Sequence, residues 1–260
     1  MDSIAAFRAL ALQLAWGADE ALQDAPVDRL QPAAARQSPS PAPAAHPTPA
    51  APAPPGPQGP GRAGTAGRAT ALAEHAASLN DLRDALAALD LGLRDTAMHA
   101  VFADGPPGGV AVLTDAPGTE DDSTGRPLSG PDGAYFDRML ASIGLTRAEL
   151  LVLPLVFWRP PGGRPATPTE IDACLPIVRR ALTLARPRAL LAFAGPPATA
   201  LLGRAATRRD AGTWRDLALP GLAEPVPTLV ISSPAACRTD VRRRREAWFA
   251  LRLLTRRIGS

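Results

Sequence analysis

Four short apolar runs, each delivered into a loop of Gly, Pro or Ser, constrain this chain more than any other feature. Residues 110–114 (VAVLT) run into Asp115-Ala116-Pro117-Gly118, and residues 150–157 (LLVLPLVF) run into Trp158-Arg159-Pro160-Pro161. Residues 188–194 (RALLAFA) lead into Gly195-Pro196-Pro197, and residues 226–232 (VPTLVIS) lead into Ser233-Pro234-Ala235. Runs this short, apolar throughout and bounded by turn formers, read as buried strands. Helical patterns separate them, so the expected fold is α/β: a three-layer αβα sandwich around a four-stranded, mainly parallel sheet covered on both faces. Ligands bind such sheets beyond the carboxyl ends of the strands. The four loops are therefore the candidate site.

Composition divides the rest of the chain. Pro (30) and Gly (22) make up a fifth of the 260 residues, and many of the prolines crowd into one stretch. That stretch, residues 26–69, reads as a Pro/Ala/Gly-rich linker that buries no core; His46 lies inside it and is given no functional role. Ahead of it, residues 1–25 hold Ile4, Phe7, Leu10 and Leu14 at spacings of three and four, an amphipathic helix weakened at Gly17. Residues 70–260 are expected to form the folded domain.

Within that domain, Leu72, Leu79, Leu82, Leu86 and Leu89 predict a helix over 70–89 broken near Asn80, with His75 on its polar side. His99 reads as a hydrogen-bonded structural residue rather than a ligand. A helix over 134–143 is stopped by Gly144. Thr167, Pro168 and Glu170 form a capping-box start for a helix to residue 185, with a kink expected at Pro176. A short helix spans 197–202, and a strongly basic one, 242–258, closes the chain with Trp248, Leu251 and Leu254 or Thr255 on one face.

All 28 basic residues are Arg, yet the net charge is only +3. Arginine's planar fork suits phosphate contacts, but a balance this small does not by itself announce a nucleic-acid partner. Two cysteines, Cys174 and Cys237, provide neither a disulfide framework nor a complete metal site. With no basic-apolar leader and no apolar run of membrane-spanning length, a cytoplasmic location is expected.

The order and spacing of several motifs resemble the uracil-DNA glycosylase superfamily, specifically its family-four branch, which often carries an iron–sulfur cluster. They are VFADG (101–105), DAPGTEDD (115–122), GRPLSGPDG (125–133), DRMLASIGL (137–145), WRPPGGR (158–164), PTEIDACLP (168–176), SPA (233–235) and RREAW (244–248). The resemblance covers roughly the last 170 residues. It implies base-excision repair: hydrolysis of the N-glycosidic bond of uracil in DNA after the base is swung out of the stack.

Carried over residue by residue, the family pattern is altered. Its Gly-Glu-Ala-Pro-Gly motif corresponds to Thr114-Asp115-Ala116-Pro117-Gly118, so the carboxylate is kept one methylene shorter. The stacking Phe falls at Leu128, the uracil-reading Asn at Pro154, and the His that donates to the leaving base at Ser233. Asp115 and Ser233 are the implied catalytic pair. Thr114, Ala116, Pro117, Gly118, Leu128, Pro154 and Gly195 of the third loop form the implied pocket. One lost donor to a developing anion costs about 100- to 1000-fold in rate, so strong activity is not expected. The alternative is a catalytically degenerate homologue that keeps DNA binding or serves as an interaction module.

The cluster positions correspond to Leu91, Arg94, Trp158 and Cys174, of which only Cys174 is a thiol; no cofactor and no metal are expected. DNA, single- or double-stranded, is the implied partner. Arg159, Arg164, Arg238 and Arg242, the last heading the Arg242–Arg245 run, are the implied phosphate contacts of a monomer that engages no membrane.

Overall fold

The computed structural model describes residues 62–89, 91–203 and 212–259. All lie in the second of two compact units, Pro57–Ser260. The expected N-terminal helix, His46 and the linker up to residue 61 fall outside the described residues.

Five strands form one sheet: β1 (Val110–Thr114), β2 (Leu150–Pro154), β3 (Ala189–Phe193), β4 (Trp214–Leu217) and β5 (Val226–Ile231). Their order is β2-β1-β3-β5-β4. The β1–β2, β1–β3 and β3–β5 pairs are parallel, and β4 adds antiparallel to β5 at the edge. The expected count of four is thus corrected to five. β4 escapes an apolar-run search because only Leu217 of its four residues is buried, while Arg215 and Asp216 face solvent, as suits an edge.

Strand alternation assigns the two faces. From β1, Ala111 and Leu113 join one apolar cluster, and Val110 and Val112 join the other. The first cluster is completed by α1 (Arg62–His75), α2 (Leu79–Ala85) and α5 (Pro168–Ala185). The second is completed by α4 (Gly130–Ala141) and α8 (Val241–Ile258). Three smaller helices, α3 (Thr119–Thr124), α6 (Pro196–Leu202) and α7 (Pro234–Thr239), follow β1, β3 and β5 directly. The three-layer sandwich is as expected, because a sheet buried on both sides needs apolar helical faces to cover it.

Local chemistry sets the helix ends. α1 begins at Arg62, inside the stretch read as linker, and stops at His75; Ser78 then caps α2 while Asp81 accepts from the Ser78 backbone at 3.0 Å. The Thr167–Glu170 capping box starts α5, which runs on through Pro176 to Ala185. Arg180 clamps the end of α1, donating to the Ala76 carbonyl at 2.7 and 3.1 Å. The 101–105 segment packs against β2 through the Asp104–Val152 bridge, and a Cβ on Gly105 (φ +108°) would meet the Leu150 carbonyl at 1.9 Å. No described helix is long and apolar enough to cross a membrane.

Candidate active site

The strand order places β2 on one side of β1 and β3 on the other, so the chain leaves β1 and β3 in opposite directions. A crevice opens at such a switch point. There the structure forms a cavity of about 350 Å³ lined by the ends of β1 (Thr114, Asp115, Ala116), β3 (Phe193) and the loop after β5 (Ser233, Pro234, Ala235). Gly118, Glu120 and Asp121 of the first loop, Leu128 and Ser129 of the next, and Pro131, Asp132 and Arg238 complete it. A second depression of about 520 Å³ shares Asp115, Ala116 and Gly118 and adds Pro117, Arg159 and Arg164. Asp115 therefore sits on the divide between the two.

The acidic residues of the first loop have different environments. Asp122 is buried and accepts from the backbone N–H groups of Met98 (2.8 Å) and His99 (3.1 Å). Asp121 accepts from Gly118 N (3.1 Å) and Ser129 N (2.6 Å), joining the first loop to the second. Burial pushes the Asp121 carboxyl up, and those two hydrogen bonds pull against the rise. Asp115 has no such support. Burial alone raises its carboxyl from an ordinary 3.8 to about 6, with no donor or cation among the described residues to offset it. Buried at the cavity wall, it is placed to act on something in the cavity, and it ionises just below neutrality.

Leu128 occupies the left-handed region (φ +53°), uncommon for a residue with its side chain. The surroundings hold it there. Arg147 donates to the Leu128 carbonyl and pairs with Asp137 at 2.8 Å, while Gly133 packs so closely that a Cβ would lie 1.7 Å from the same carbonyl. Strain maintained this way is typical of a ligand-facing loop. Arg126 braces the loop from outside, pairing with Asp104 at 2.9 Å.

Ser233 is the N-cap of α7: its Oγ accepts from Ala236 N at 3.4 Å, with Pro234 at the first helical position. Capping uses an acceptor lone pair, so the hydroxyl proton is left to donate into the cavity.

The remaining expected site residues are dispersed. Pro154 is buried at the end of β2, level with Thr114, and lines neither depression. Gly195 precedes α6 (φ +114°) and lines neither. Arg164 is engaged by Glu170 at 2.6 and 2.9 Å, and Arg238 pairs with Asp132 at 2.7 Å across the cavity mouth. Arg242 is exposed on the first turn of α8, away from both depressions. His99 is structural as expected, its Nδ1 2.6 Å from the Asp122 carbonyl oxygen.

Phe193 was not singled out from sequence. It is buried, meets Phe136 edge-on at 6.0 Å, and presents the aromatic surface that Leu128 lacks. The strand register accounts for its place: Leu113 is opposite Ala192, so the next residues, Thr114 and Phe193, are level and share a face.

The positions implied to ligate a cluster do not fit one. Trp158 is buried against Phe157 (6.2 Å, edge-on), Leu91 packs on the same apolar cluster, and Arg94 reaches the Ala87 carbonyl at 2.9 Å. Cys174 is fully buried, and desolvation pushes its thiol up to about 12, so it is held as a neutral thiol rather than a ligating thiolate. Among the described residues, no group of three or more His, Cys, Asp or Glu side chains is placed to hold a metal ion.

Comparison with known proteins places the chain in a family. The family described as Uracil DNA glycosylase superfamily matches residues 104–253, more than half of the chain. The type-4 uracil-DNA glycosylase of Pyrobaculum aerophilum is 32% identical over 94 residues, 36% of this chain and 48% of the relative. That of Archaeoglobus fulgidus is 34% identical over 82 residues (32% and 41%), and that of Thermotoga maritima 35% over 65 (25% and 34%). The chain spans less than half the length of each of these relatives. The family match begins at Asp104, takes in all four strand-end loops and closes within α8, and on it the chain belongs to the uracil DNA glycosylase superfamily.

Proposed function

We propose that this chain is a DNA-binding glycosylase of low turnover, in which a flipped uracil enters the 350 Å³ cavity and Asp115 supports hydrolysis of its glycosidic bond. The observation that carries the reading is Asp115 itself: a carboxylate at the strand-end crevice, raised to about 6 by burial and without a structural partner among the described residues. The cavity lies at the small end of the ligand-pocket range of about 300–1,000 Å³, which suits a single base.

In the proposed step the N–C1′ bond breaks and its electron pair goes to the departing base, while a water oxygen bonds to C1′. Asp115, ionised above pH about 6, stabilises the positive charge growing on the sugar and accepts the water's proton. The Ser233 hydroxyl donates to the oxygen of the leaving base. Phe193 contributes apolar surface beneath it.

Low turnover follows from what faces the leaving anion. Four carboxylates line the cavity (Asp115, Glu120, Asp121 and Asp132) against one guanidinium, Arg238, which is already paired. A catalytically silent DNA-binding homologue is the second reading, favoured by the position of Pro154 outside the cavity. A base-release assay on single- and double-stranded oligonucleotides carrying uracil and other deaminated bases separates the two. Slow, Asp115-dependent release supports the first; release at the background rate from every substrate supports the second.

A further inference from the structure

The apolar face of α8 is satisfied by the sheet through Ala247, Ala250, Leu251 and Leu254, but Trp248 and Phe249 stand outside it, 44% and 60% exposed. They meet edge-on at 5.7 Å, and the Arg252 guanidinium lies 4.8 Å from the centre of the Trp248 ring. Across a groove from Trp248, Tyr135 on α4 carries the Arg138 guanidinium at 5.3 Å. Tyr135, Arg138, Met139, Arg244 and Trp248 border a groove of about 190 Å³. That is below the usual range for an enclosed small-molecule site, about 300–1,000 Å³, but open aromatic edges need only admit a flat ring.

The groove is joined to the cavity. Pro131 and Asp132 line the cavity from the start of α4, and Tyr135 borders the groove one turn later, about 5 Å along the axis. On the other side Arg238 stands at the cavity mouth, and Arg244 reaches back from the groove to the carbonyls of Cys237 (3.2 Å) and Arg238 (3.4 Å). α8 carries seven arginines and one glutamate. Aromatic faces interleaved with arginines along a positively charged track are how single strands are held irrespective of sequence.

We propose that the α4–α8 groove is a stacking subsite for single-stranded DNA, taking a base next to the one presented to the cavity between Tyr135 and Trp248. It rests on the reading that this domain acts on DNA, but its test does not need catalysis.

Fluorescence anisotropy of the full chain with an undamaged, labelled single strand of about 20 nucleotides, and with the same sequence as duplex, reads the subsite directly. Trp248→Ala and Tyr135→Ala are each expected to weaken single-strand binding about 5- to 150-fold, with a smaller effect on duplex. Trp248→Phe is expected to restore most of the loss. Arg138→Gln, at an exposed position, removes a cation without touching the core and is expected to weaken single-strand binding and flatten its salt dependence. Unchanged single-strand affinity in the two alanine variants and Arg138→Gln overturns the proposal, as does tighter, Trp248-dependent binding to RNA or to an acidic protein. Uracil release, measured separately, distinguishes the failures. Trp248-dependent binding without release upholds the subsite and refutes the cavity reading, whereas release without a Trp248 effect does the reverse.

Discussion

The cavity and α8 are opposite in charge. Four carboxylates and one paired arginine line the first, while the second carries seven arginines and one glutamate. A cavity so charged repels phosphates and favours positive charge growing on a sugar. A helix so charged attracts phosphates. On the proposed reading, affinity and chemistry are carried by separate parts of this domain, so each should be removable while the other remains.

The largest expected effect breaks the chemical half. Asp115→Asn should lower base release about 100- to 10,000-fold, the usual worth of a positioned acid or base, while leaving affinity for undamaged DNA within about twofold, because no phosphate contact is assigned to it. Single-turnover release and anisotropy on the same preparation check both halves.

The same substitution should stabilise the fold. Asp115 titrates at about 6 in the folded chain against an ordinary 3.8, so the folded state holds its proton more tightly and stability falls as pH rises from about 4 to about 6. At about 1.4 kcal/mol per pH unit, the ionised carboxylate costs the fold about 3 kcal/mol at pH 7. Asn carries no such cost. Denaturant unfolding should find the variant more stable by about that amount at pH 7 and equal to the parent below pH 4.

Gly133→Ala tests whether the Leu128 loop must be held where it is. The new methyl would meet the Leu128 carbonyl at 1.7 Å, so α4 or the loop has to shift. A loss of about 1–3 kcal/mol in unfolding free energy is expected, with release falling further than DNA affinity.

The smallest effect sharpens the binding half. Arg242→Ala and Arg245→Ala each remove an exposed guanidinium from α8. Each should reduce the slope of log affinity against log salt by about 1 while leaving uracil release at saturating DNA unchanged. An unchanged slope would remove α8 from the DNA-binding surface.

The sheet was legible in sequence because its four buried strands are apolar throughout, a pattern that needs no partner to be recognised. β4 was not, since an edge strand is defined by pairing with β5 rather than by its own residues. α3 was missed for a related reason: six residues of Thr, Glu, Asp and Ser have no apolar face, and Asp121 secures the helix by accepting from the Gly118 backbone. Asp115, Ser233, Leu128, Thr114, Ala116 and Gly118 converge on the cavity because strand ends and their loops are adjacent in any parallel sheet. Pro154 and Gly195 lie at strand ends too, yet line neither depression; which loop residues face inward depends on tertiary packing. Phe193 needed the strand register, which becomes explicit only once the order of β1 and β3 is known.

The most direct test is the pH dependence of uracil release from a single-stranded oligonucleotide under single-turnover conditions, for the parent and Asp115→Asn. Asp115 acts when ionised, so the parent's rate should rise about tenfold per pH unit up to about 6 and then level. The variant should stay near background throughout. A variant as fast as the parent, or a parent rate that climbs as pH falls below 6, would contradict the role given to Asp115.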